Sequence, residues 1–173
     1  MSLKKFVVIP LIIGVLAFTI QIVDKLLSPL MQPDPNKGFC WIAFQAWAVY
    51  FLAGCNIQGG IKSLVGYAIG ISGSIVIMEL AGVFSCLGFF GVAAAVGLIA
   101  FCLIFLEKTT WWSSFIPAMF IGAGAFFAFM TYVDGATYVT AATTEIVYCA
   151  LGLFYGFVTV SLRTMYEKKI AKK

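Results

Sequence analysis

Six apolar runs, separated by short polar or glycine-rich breaks, set the pattern of this chain. They fall at roughly 5–24, 39–55, 61–80, 86–106, 114–133 and 145–163. Each is close to the ~20 apolar residues a helix needs to cross a bilayer. The runs are continuous and do not alternate with period two, which predicts helices and not the strands of a barrel. The third and fourth form one stretch too long for a single span, and Gly82, Ser85 and Gly88 place a turn near 82–91. The expected fold is all-α: one polytopic membrane domain over residues 1–173, a bundle of about six transmembrane helices, with a short basic tail from about 164.

Composition supports that class. Hydrophobic residues make up 62% of the 173 and charged residues only 10%, against roughly a quarter charged in soluble domains. Lys4 and Lys5 before an apolar run imitate a signal peptide, but the run continues from Phe6 to Val23 with no small-x-small site after it. An uncleaved first helix is expected.

Charge then orients the bundle. Six spans put Lys4, Lys5, Lys62, Lys108, Arg163, Lys168, Lys169, Lys172 and Lys173 on one side and only Lys25 and Lys37 on the other. Positive residues favour the cytoplasmic face, so both ends are expected on the cytoplasmic side of the membrane. Five acids (Asp24, Asp34, Glu79, Asp134 and Glu145) fall at the outer side. The net charge of +4 therefore suits membrane lipid headgroups and gives no nucleic-acid footprint. Pro29, Pro33 and Pro35 make the outer connection stiff. Trp41, Trp111 and Trp112 stand where interfacial aromatics belong.

Little in the chain points to catalysis. There is no histidine, and Cys40, Cys55, Cys86, Cys102 and Cys149 are scattered singly. No metal site, cofactor or Ser–His triad can be assembled, and no enzyme is expected. Asn56-Ile57-Gln58-Gly59-Gly60, followed by Lys62, lacks the spacing of a phosphate loop and is expected to be a plain turn.

Small residues offer packing surfaces. Gly66–Ser72 matches Ala118–Gly124 at an offset of 52, with a shared small-x3-small-x-small pattern. Gly66, Gly70, Ala118, Gly122, Gly152 and Gly156 are the candidate helix contacts, inside one chain or in a homo-oligomer. The sixth run carries the most organised polar pattern. Glu145, Tyr148, Gly152, Tyr155, Gly156, Thr159 and Arg163 fall within a sector about 100° wide. They cover 18 residue steps, roughly 27 Å. Two interpretations stay open: a conduit wall in which glycines make room for a solute, or packing with Glu145 and Arg163 at the two interfaces. Gln45 and Asn56 share a face of the second predicted helix, and Ser72 and Glu79 share one on the third.

Two stretches carry a family resemblance: Trp41–Phe51 through Gly54–Leu64, with its Gly-Gly-Ile-Lys turn, and Ser114–Ala128, with Phe115-Ile-Pro leading to Phe120-Ile-Gly-Ala. Over roughly 39–130 the chain resembles the YcdZ-type bacterial inner-membrane proteins, domain of unknown function 1097. The resemblance implies a small polytopic fold in the bacterial inner membrane and no transferable chemistry. The function expected from the residues is a passive channel or facilitator for a small uncharged or weakly polar solute. The solute-path candidates are Glu145, Tyr148, Tyr155, Thr159, Gln45, Ser72 and Glu79. Passive passage is preferred because all seven acids fall at termini or near predicted helix ends, whereas ion coupling calls for acids deep in the membrane. The alternative is a non-transporting interaction or assembly protein using the small-x3-small surfaces.

Overall fold

The computed structural model describes residues 3–31, 33, 35, 37–109 and 111–172, apart from the side chains of Lys4 and Trp111. The expectations for Lys4, Asp34, Trp111 and Lys173 lie outside the described residues. Among those described, every regular element is helical.

The helices are α1 (Leu3–Phe6), α2 (Val8–Leu27), α3 (Cys40–Leu52), α4 (Ile57–Val83), α5 (Gly91–Ile104), α6 (Ile116–Tyr132) and α7 (Tyr138–Ala171). Three stretches are long and apolar enough to cross a membrane: Val8–Leu30, Ile57–Lys108 and Tyr138–Ala171. Cys40–Leu52 and Ile116–Tyr132 are apolar but shorter.

Local chemistry explains where several boundaries differ from expectation. The second helix stops at Leu52, not at 55, because Gly54 and Cys55 both take positive φ, 93° and 57°. Asn56 therefore does not share a face with Gln45. Its side chain accepts a hydrogen bond from the Gly59 N–H at 2.8 Å and caps α4. The last helix starts seven residues before 145, at Tyr138, because Thr137 and Thr140 close a reciprocal capping box. Ile57–Lys108 reverses through a tight helical turn, Phe84–Phe90, where Gly88 has a φ of 54°. Only then does α5 begin, at Gly91 and not at 86.

Close contacts give the relative directions. Gly66 abuts Ala118, and Gly70 abuts Met119 and Ala123, so α4 and α6 run parallel. The two stretches that match at an offset of 52 are packed against each other. Likewise Gly152 meets Ala43 and Ala46, and Gly156 meets Tyr50, so α3 and α7 are also parallel. Helix α2 lies antiparallel along α7, with Thr19 beside Tyr155 and Lys5 beside Tyr166. The Tyr166 hydroxyl donates to the Lys5 carbonyl at 2.7 Å, which brings the two ends of the chain to one end of the bundle. Helix α5 covers α4 through Leu103 and Ile99 against Gly73, and buries only Gly91 and Ala95.

Candidate functional site

The polar stripe predicted from the sixth apolar run faces the inside of the bundle. On α7, Glu145, Tyr148, Gly152, Tyr155, Gly156 and Thr159 are all buried, and Arg163 is exposed. The wide apolar surface of α7 lets one face pack on α3 and a neighbouring one on α2. The polar groups gather where α7 meets α2.

At the end of this seam away from the termini, Asp24 is buried at 6% exposure. Its Oδ1 accepts the Phe39 backbone N–H at 3.0 Å and the Tyr148 hydroxyl at 2.6 Å. These are charge-assisted bonds when the carboxylate is ionised, and they give a buried acid the partners it needs. Gly38 lies so close to Asp24 Oδ2 that any side chain there would displace the carboxylate. The Phe39 ring stacks on Phe129 at 5.2 Å and meets Tyr148 edge-on at 5.7 Å. Phe39 also borders a cavity of about 440 Å³ shared with Lys37, Trp41 and Tyr132. Phe39 thus touches both that cavity and the Asp24–Tyr148 pair.

Further along, the Tyr155 hydroxyl donates to Thr19 Oγ1 at 3.3 Å, and Thr19 donates to the Leu16 carbonyl at 2.9 Å. The Thr159 hydroxyl donates to the Tyr155 carbonyl at 2.7 Å. Thr159 also lines a cavity of about 340 Å³ at the end where the termini meet. Ile9, Ile12 and Phe51 form its apolar wall, and Arg163 and Glu167, paired at 2.9 Å, stand at its rim.

Glu145 sits apart from this row. It is 0% exposed, and neither carboxyl oxygen has a hydrogen-bond partner among the described residues. Tyr67 of α4 is equally buried with an unpartnered hydroxyl, and it lies within electrostatic range of Glu145, as does Cys149.

A model of one protein family matches residues 8–163. This chain belongs to the DUF1097 family of proteins of unknown function. The match takes in every helix from α2 to the Arg163 turn of α7, and with it the whole polar seam. No curated protein and no solved structure matches the chain. What this DUF1097 protein can do must follow from its geometry.

That geometry divides the candidates chosen from sequence. Tyr148, Tyr155 and Thr159 are brought together with α2, and Glu145 is buried on α7 apart from their hydrogen bonds. Gln45 is exposed on the outer face of α3 and does not join them. Ser72 is exposed too, its hydroxyl satisfied by the Ala68 carbonyl at 2.8 Å, in a groove between α4 and α5. Glu79 is an exposed carboxylate that accepts from the Tyr138 hydroxyl at the far end of the bundle from the termini. All three lie outside the α2–α7 seam. The glycines do not open space for a solute, since Ala43 and Tyr50 fill the positions beside Gly152 and Gly156. The placement of all seven acids near helix ends also fails. Glu145 lies seven residues inside α7, about 10 Å along its axis. Asp24 was missed as a site residue: it ends the predicted first run, and nothing local shows that its face turns inward.

Proposed function

We propose that this DUF1097 protein is a multi-pass inner-membrane facilitator for a small uncharged or weakly polar solute, with its path along the seam between α2 and α7. Six spans carry it: α2, α3, α4, α5, α6 and α7, with both ends in the cytoplasm. The single observation that carries the proposal is the row Asp24–Tyr148, Thr19–Tyr155 and Thr159, which joins Phe39 to the cavity beside Arg163. Polar side chains in a membrane bundle are costly unless they face a partner or a watery path. Here hydroxyls recur from one end to the other, able to replace a solute's lost water contacts in turn. The arrangement is a closed state: Phe39 blocks one end, while the other stays open as far as Thr159.

The assembly alternative loses its main surface. Gly66, Gly70, Gly122, Gly152 and Gly156 are consumed by contacts inside the chain, which leaves none of them for a partner.

Swelling assays on proteoliposomes with urea, glycerol and larger polyols test the proposal. Thr159→Val keeps the side-chain shape and removes the hydroxyl at the cavity floor. Flux of the permeant solute should fall while the melting temperature stays near wild type. Wild-type vesicles no more permeable than protein-free ones to every solute would rule the facilitator out.

A further inference from the structure

Glu145 has no place in the hydrogen-bonded row, yet it is the most completely enclosed acid in the bundle. Its two oxygens and the Tyr67 hydroxyl are fully buried polar atoms without partners, on helices packed against each other. A carboxylate so placed would have neither water nor a counter-ion to offset its charge.

The groups that face it offer no cation. Helix α4 brings Tyr67, with Glu79 three turns further out. Helix α7 itself brings Tyr148 and Cys149. Asp24 on α2 and Cys40 on α3 lie beyond Tyr148, and α6 supplies only the exposed Tyr132. Lys25, Lys37 and Arg163 are all exposed, and the half-buried Lys62 stands at the start of α4, five residues before Tyr67 and on the side away from Glu79. A metal ion fits no better, because no group of three metal-ligating side chains converges among the described residues. None of the five main cavities is lined by Glu145.

We propose that Glu145 is a proton-binding site, loaded in this closed state, whose proton is exchanged with water when the bundle opens. A proton is the one cation that needs no cavity and no further ligand. On opening, the carboxyl O–H bond breaks, its electron pair stays on the oxygen, and a water molecule takes the proton. Tyr67 is the positioning residue: its free hydroxyl lies on the facing helix, able to donate to the carboxylate once the proton leaves. The exchange makes opening of the passive path sensitive to the pH difference across the membrane, and that link rests on the transport proposal. The loaded carboxyl itself does not.

Infrared difference spectra of the full chain in lipid vesicles at pH 7 test the site directly. Wild type minus Glu145→Gln should show the C=O stretch of a neutral carboxyl, lost in the variant. A lost carboxylate band in its place overturns the proposal. If Glu145→Gln does not fold, Glu145→Asp serves, and a shifted neutral band is expected. Tyr67→Phe should keep the neutral band and slow its shift in heavy water, since the hydroxyl assists only departure; an unchanged exchange rate removes Tyr67 from the site. The second arm applies a pH difference across vesicles loaded for the swelling assay. Wild-type flux should respond to the gradient and Glu145→Gln flux should not. Equal flux at every gradient in wild type overturns the coupling. A wild type that moves no solute at all sinks the transport proposal, while the infrared bands still decide the proton site.

Discussion

Asp24 and Tyr148 make the most consequential side-chain contact in the seam, since each is buried and they meet at 2.6 Å. Tyr148→Phe removes that donor and leaves Asp24 Oδ1 with the Phe39 N–H alone. A buried acceptor that loses one partner costs about 1–3 kcal/mol. Tyr155→Phe removes a longer bond between neutral hydroxyls, at 3.3 Å, and should cost about 1 kcal/mol or less. Thermal melting in lipid nanodiscs should therefore rank Tyr148→Phe well below Tyr155→Phe, and the reverse order would contradict the clamp at Asp24. Residues of the seam were partly legible in the sequence. Helical spacing alone put Tyr148, Tyr155 and Thr159 on one face, and that face is buried. Spacing could not say that Gln45 faces outward, because in a chain this apolar both sides of a helix look alike. Nor could it show that Asp24 turns inward, since its partners come from positions 39 and 148.

Helix contacts were more legible than the site, because close approach has a simple requirement: no side chain in the way. At Gly70 a Cβ would strike the Met119 backbone, and at Gly122 it would strike that of Tyr67. At Gly124, in the same helix and the same matched stretch, nothing lies within 4 Å. Gly70→Leu should thus destabilise the protein by several kcal/mol or prevent folding, since backbone cannot yield as side chains do and even modest overpacking costs about 1–3 kcal/mol. Gly124→Leu should melt within a degree or two of wild type, an effect of well under 1 kcal/mol. Equal loss in both variants would mean that the α4–α6 contact is not where the structure places it. Helix ends were less legible. The reversal near Gly88 was marked by its glycines, but the early start of α7 depends on Thr137 and Thr140 capping each other, a pattern easily taken for a polar loop.

For the whole molecule, antiparallel α2 and α7 bring Lys5 and Tyr166 together, so both ends of the chain leave the bundle on one side. The basic residues Lys62 and Lys108, at the start of α4 and just past the end of α5, lie towards that same side. Reporter fusions after Lys173 should therefore report the cytoplasm, and fusions in the loop at Pro33 the opposite compartment. A common location would overturn the six-span topology. The proposed path is tested most directly at the cavity beside Thr159. In a chain with its five cysteines replaced, Thr159→Cys should react with a hydrophilic thiol reagent added from the side of the termini, through the cavity beside Arg163. If solute passes along the α2–α7 seam, solute flux in proteoliposomes should fall to the protein-free background as modification completes, and return when a reducible adduct is removed. Complete modification with flux unchanged would contradict a path between α2 and α7.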